Sequence, residues 1–132
     1  MKIEEFIDAG NIKFRSAYRD SMYFVIKEKD DTGLLVGMSE MFYVTFAIGY
    51  HFNQQVEIAP KSINHVNLVS LDRDIKELMV RLVLKRKPQI TDAKELWKEV
   101  ETYAEYGIQV LYNSWKENNF LDIYKILERT EK

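Results

Sequence analysis

Arg81, Lys85, Arg86 and Lys87 are the densest group of chemically capable side chains in this sequence. Arg81 and Lys85 have the i,i+4 spacing that puts two side chains on one helical face, and Arg86 and Lys87 carry the charge to the helix end. Two readings are open. Cations in a last turn complement the negative end of the helix dipole. The same cluster could also contact an acidic partner or the phosphates of a DNA or RNA backbone. No sequence-reading motif accompanies it, so base specificity is not expected. The histidines, His51 and His65, have no metal-pair spacing. His51 is expected to be satisfied by a loop carbonyl, and His65, in a polar SINHVN stretch, to be exposed. The sequence has no cysteine, which excludes disulfides, thiolate zinc, iron–sulfur ligation and a thiol nucleophile. No serine lies in a nucleophile elbow. The segment TGLLVG at 32–37 lacks the Gly-Lys-Ser/Thr ending of a phosphate loop. Adjacent acids such as Glu4–Glu5 and Asp30–Asp31 read as solvated. Paired carboxylates need only meet in space, but nothing nominates a pair. The expectation is a non-enzymatic chain with no catalytic, cofactor-binding or metal-ligating residues.

The elements that would position these residues follow from periodicity. Residues 91–117 place Leu96, Trp97, Val100, Tyr103, Ala104, Ile108, Leu111 and Trp115 on one face, the mark of a long helix. Gly107 lies on that face and costs about 1 kcal/mol of helix propensity against alanine, so the Ala104–Gly107 step is expected to admit a second backbone at close range. Asp92, with Glu95 three residues on, opens this helix. The run from Ser39 to Gln54 is apolar on nearly every face and reads as a central helix capped by Ser39, with Gly49 open to a close contact. The long helix should pack on it, with Gly107 at the crossing. Phe14, Ala17, Tyr18, Met22, Val25 and Ile26 suggest an earlier helix ending near Lys29, with a turn at 29–33 and Gly33 as its stop. IEEFI at 3–7 is ambiguous. Residues 56–71 alternate like a strand but contain Pro60, which favours short strands or an extended arm. Asp72 should cap a helix reaching Lys87, with Ile75, Leu78, Met79, Leu82 and Val83 as its buried stripe and Pro88 beyond it. Asn119 should cap a last short helix packed through Leu121, Tyr124, Ile126 and Leu127.

The sum is a mainly α single domain over residues 1–132, with about five helices and a short extended or β segment near residues 56–71. Apolar content of 46% and charged content of 30% fit a globular domain. The net charge of −2 favours neither a nucleic acid nor an acidic partner by itself. No apolar run reaches a membrane span and no signal peptide is recognisable at the N-terminus, so a cytoplasmic protein is expected. Tyr18, Tyr23, Tyr106, Tyr112 and Tyr124 are too many to bury together in so small a domain. Half-exposed aromatics of this kind mark protein interfaces, including those between copies of a chain.

Two packing motifs occur in a familiar order. The first is Phe46, Ala47, Gly49 and Tyr50; the second is Glu101, Tyr103, Ala104, Gly107 and Ile108. Over roughly residues 34–117 this order resembles a small accessory family encoded beside the Dnd DNA-phosphorothioation systems of bacteria. The resemblance implies a setting, antiphage defence linked to modified DNA, and no reaction. The function expected is therefore that of an accessory or adaptor protein acting by protein–protein binding. The alternative is a small nucleic-acid-binding module using the basic helix end at 81–87.

Overall fold

Two long helices cross at glycine, and the rest of the chain packs around that crossing. In the computed structural model, which describes residues 2–29, 37–118 and 123–128, they are α3 (Met38–Phe52) and α5 (Ala93–Asn118). A Cβ built on Gly107 would overlap the Thr45 carbonyl oxygen and lie 2.6 Å from its carbon. A Cβ on Gly49 would overlap the Tyr103 carbonyl in the same way. Each glycine thus rests on the carbonyl one turn before the other, and the matching of 45 with 107 and 49 with 103 makes the helices antiparallel. Ala104 is buried beside the crossing, in the same core as Phe42 and Phe46. The expected docking of the long helix on the central one, with Gly107 at the contact, is found.

Around this pair lie α1 (Ile3–Ile7), β1 (Lys13–Ser16), a π-helical turn at Arg19–Tyr23, α2 (Phe24–Lys29), β2 (Ile63–Asn67), a 3-10 turn at Leu68–Ser70, α4 (Arg73–Arg86) and α6 (Ile123–Leu127). The architecture is mainly helical with a small two-stranded sheet, as composition and periodicity imply. β1 and β2 pair antiparallel, with a bulge between Phe14 and Arg15. Two cores form. One gathers Phe6, Phe14, Val80, Val83 and Trp97, and Trp97 also donates its indole N–H to the Phe6 carbonyl at 2.8 Å. The other gathers Tyr23, Ile26, Met41, Ile108, Leu111 and Ile126.

Several expectations are corrected. The helix expected over 14–29 is a strand, a π turn and a short helix, because residues 13–16 alternate exposed and buried and pair with distant β2. Of the extended segment at 56–71, only Ile63–Asn67 is a strand. The cap of α3 is Gly37, which has no side chain to bond the helix end, and Ser39 lies inside the first turn. On α4 the buried face is Lys76, Met79, Val80 and Val83, while Leu78 is 55% exposed. Asp72 does cap that helix, accepting from the Asp74 and Ile75 amides at 2.9 and 3.2 Å, and Asp92 accepts from the Glu95 amide at 3.1 Å. The turn at 30–33 with Gly33, most of the glycine segment at 32–37, the Asn119 cap, Leu121 and the side chain of Tyr124 lie outside the described residues. No helix among the described residues is long and apolar enough to cross a membrane.

Candidate functional site

The basic residues at the end of α4 sit together in space, but three of the four are engaged inside the fold. Arg81 pairs with Glu77 one turn earlier at 3.3 Å, with both side chains largely exposed. Arg86 sits over the Tyr50 ring, its guanidinium carbon 3.5 Å from the centroid, and donates to Asn53 Oδ1 at 3.1 Å. Asn53 occupies the left-handed region at φ 54° as the C-cap of α3, and its side chain also accepts from the Tyr103 hydroxyl at 3.3 Å. Asn53 thereby ties together the ends of α3 and α4 and the middle of α5. Lys87 forms an ion pair with Glu99 and also donates to Gln55 at 3.3 Å. Burial would raise the Glu99 carboxyl, but hydrogen bonds from Lys87 and Gln55 outweigh it and hold the pKa below the usual value. Among the described residues, Lys85 alone of the four makes no ion pair or hydrogen bond.

Beside this cluster an apolar groove of about 480 Å³ runs between α3 and α4. α4 carries more apolar side chains than one face can bury. Met79, Val80 and Val83 enter the core, whereas Ile75, Leu78 and Leu82, at helical spacing, are left partly uncovered. They face Tyr43, Phe46 and Tyr50 of α3 across the groove. The groove's shape is held by the Tyr50 hydroxyl, which donates to the Leu82 carbonyl at 2.9 Å. Arg86 and His51 supply its polar edge. His51 is bonded to the Leu127 carbonyl at 2.9 Å, at the end of α6 and not in the loop expected of its partner.

A second cleft, of about 420 Å³, opens between β1 and the start of α5. Its floor is Phe14 and Trp97, and its rim is charged. Glu101 and Glu105, one turn apart on α5, accept hydrogen bonds along β1 and just past it. The Arg15 amide donates to Glu101 at 2.7 Å; the Ser16 hydroxyl and Ala17 amide donate to Glu105 at 2.6 and 2.9 Å. Burial raises both carboxyl pKa values against the lowering effect of these bonds. This is a carboxylate pair that sequence could not nominate, because its partners lie nearly ninety residues away. Their role is to clasp a strand edge. Glu101 also borders the cleft.

His65 is not the exposed residue its polar neighbours imply. Its ring packs 3.9 Å from the centroid of Tyr23, and neither ring nitrogen has a hydrogen-bond partner. Burial, with the Arg19 charge adding to it, pushes the pKa down to about 4. The described residues contain no cluster of three or more His, Asp or Glu arranged to hold a metal ion. No family model, curated protein or solved structure matches the chain.

Proposed function

We propose that this chain is a non-enzymatic adaptor that binds a partner protein in the α3–α4 groove. The observation that carries this reading is the second apolar stripe of α4. Ile75, Leu78 and Leu82 face an open groove with aromatic walls, and such uncovered apolar surface marks an interaction site. The groove's helical spacing suits an amphipathic helix that lays three or four apolar side chains into it. Arg86, fixed over Tyr50 at the groove's end, selects a helix carrying an acidic residue there. The resemblance of its packing-motif order to that of the Dnd-associated accessory family is what supports a setting in a prokaryotic antiphage-defence or DNA-modification system. Binding of nucleic acid through Arg81, Lys85, Arg86 and Lys87 has less support, since three of these cations are held by neighbours.

Leu78→Glu tests the groove, because the side chain is exposed and its loss leaves the core intact. A photo-crosslinker at position 78 should capture one partner in cells. The purified partner should then bind the wild-type chain and lose at least tenfold in affinity for Leu78→Glu. Unchanged binding by that variant would sink the groove reading. Self-association of the wild type that Leu78→Glu abolishes would replace the adaptor with a homo-oligomer interface. Turnover by the purified chain that disappears on replacing Glu101, Glu105 or His51 would overturn the non-enzymatic assignment.

A further inference from the structure

The cleft between β1 and α5 gathers four cations from two elements distant in sequence. Lys13 and Arg15 alternate with buried Phe14 and Ser16, so both project from the exposed face of β1. Lys94 and Lys98 are i,i+4 on the first turns of α5 and so share a face. The fold sets these two pairs around one concavity of about 420 Å³, within the size range of small-ligand sites. Elsewhere some cations pair with acids, as Arg73 does with Asp8, Arg81 with Glu77 and Lys87 with Glu99, while others, such as Lys85, do not. Among the described residues, the four cations of the cleft find no ion-pair partner. Two acids share the rim, Glu57 and Glu101, and Glu101 already accepts the Arg15 amide. The rim therefore keeps a net positive charge, four cations against two acids, above a floor of Phe14 and Trp97, and such a rim attracts an anion.

We infer that this cleft binds clustered phosphates, as in a diphosphate group, using Lys13, Arg15, Lys94 and Lys98. Arg15 supplies a planar fork for bidentate contact, and the lysines supply adjustable point charges. A carboxylate monoanion would leave most of the four cations unmatched, whereas a diphosphate offers charge and oxygens to all of them. The same chemistry is presented by a free nucleotide and by a nucleic-acid backbone. The inference is independent of the α3–α4 groove and uses none of its residues.

Binding is read by calorimetry at low salt with three probes: inorganic pyrophosphate, ATP, and a single-stranded oligonucleotide. The variants are Lys13→Gln with Arg15→Gln on the strand, Lys94→Gln with Lys98→Gln on the helix, and Lys85→Gln as a control. At least one probe should bind the wild type, and each double variant should weaken it tenfold or more. Lys85→Gln should bind like the wild type. Glu57→Gln, which removes a rim acid, should tighten binding severalfold. Pyrophosphate or ATP binding with no oligonucleotide binding assigns the cleft to a free phosphate ligand. Stronger oligonucleotide binding, with a salt slope that falls by about 0.7 for each phosphate the variant no longer neutralises, assigns it to a backbone. Both results support the cleft. Circular dichroism checks that each variant folds, and having one pair on a strand and one on a helix guards against a shared folding defect. No binding of any probe by the wild type would overturn the inference, as would equal weakening by Lys85→Gln or weaker binding by Glu57→Gln.

Discussion

Arg86 and Lys87 show how far the meaning of a charged residue depends on its neighbours. Read as free cations at a helix end, Lys85, Arg86 and Lys87 would be nearly interchangeable. In the fold, Arg86 stacks on Tyr50 and bonds Asn53, while Lys87 neutralises the half-buried Glu99. Arg86→Gln and Lys87→Gln should therefore each cost about 1–2 kcal/mol, the first by removing a cation–π interaction and both by removing charged hydrogen bonds. Lys85→Gln should stay within about 0.5 kcal/mol. Chemical denaturation of the three single variants checks this, and equal costs would show that these interactions carry no stability. His65 gives a pH signature of definite sign. Its folded pKa is about 4 against an ordinary 6.5, so the unfolded chain binds the proton first as pH falls. Its contribution is complete above pH 6.5 and is lost towards pH 4, by up to about 3 kcal/mol. Glu101 and Glu105 act oppositely, because their raised values make folding more favourable as they protonate. Subtracting the stability curve of His65→Phe from that of the wild type isolates the histidine. A difference that stays flat from pH 7 to 4.5 would refute its buried, neutral state.

Between α3 and α5 the decisive feature is an absence of side chains. Gly107 and Gly49 each stand where a methyl would strike a carbonyl of the facing helix. Gly107→Ala should lower stability by about 1–3 kcal/mol, and Gly107→Leu by at least as much, although helix propensity alone predicts a gain of about 1 kcal/mol. Gly49→Ala should behave alike. The double alanine variant should cost less than the sum, since the first methyl already separates the helices. A raised melting temperature for Gly107→Ala would contradict close packing at the crossing. This element was legible in the sequence because Gly107 breaks a long, regular apolar stripe, and a helix tolerates that break only for a reason. The caps at Asp72 and Asp92 were legible because capping is local. β1 was not, because a four-residue strand is fixed by its pairing with residues 63–67, and Phe14, Tyr18 and Met22 fit a helical stripe equally well. The exposure of Leu78 was hidden for a related reason: α4 has apolar residues at enough positions to fill either of two overlapping faces, and only the neighbours decide. Of the candidate sites, the cluster at 81–87 could be seen because it is contiguous. The cleft could not, since Lys13 and Arg15 meet Lys94 and Lys98 only through the fold.

At the scale of the whole molecule, the two cores have no buried residue in common, which invites the idea of two units unfolding in turn. The helices argue otherwise. α3 sends Phe42 and Phe46 into one core and Met41 and Ile48 into the other; α5 sends Leu96 and Trp97 into the first and Ile108 and Leu111 into the second. Freeing either core would separate α3 from α5 at the glycine crossing, where packing is backbone to backbone and cannot be relaxed by side-chain rotation. Local unfolding units coincide with separable motifs, and here the motif that would have to separate is shared. The domain should therefore unfold in one transition, as single domains of this size usually do. Two tryptophans allow the test. Trp97 is buried in the first core and Trp115 packs against the second. Trp97→Phe leaves a reporter on the second core, and Trp115→Phe leaves one on the first. In each variant the fluorescence transition in urea should coincide with the loss of helix by circular dichroism. Trp97→Phe should show the lower midpoint, because it also loses the indole hydrogen bond to Phe6. If fluorescence and circular dichroism separate within either variant, the cores melt independently and the glycine crossing does not couple them.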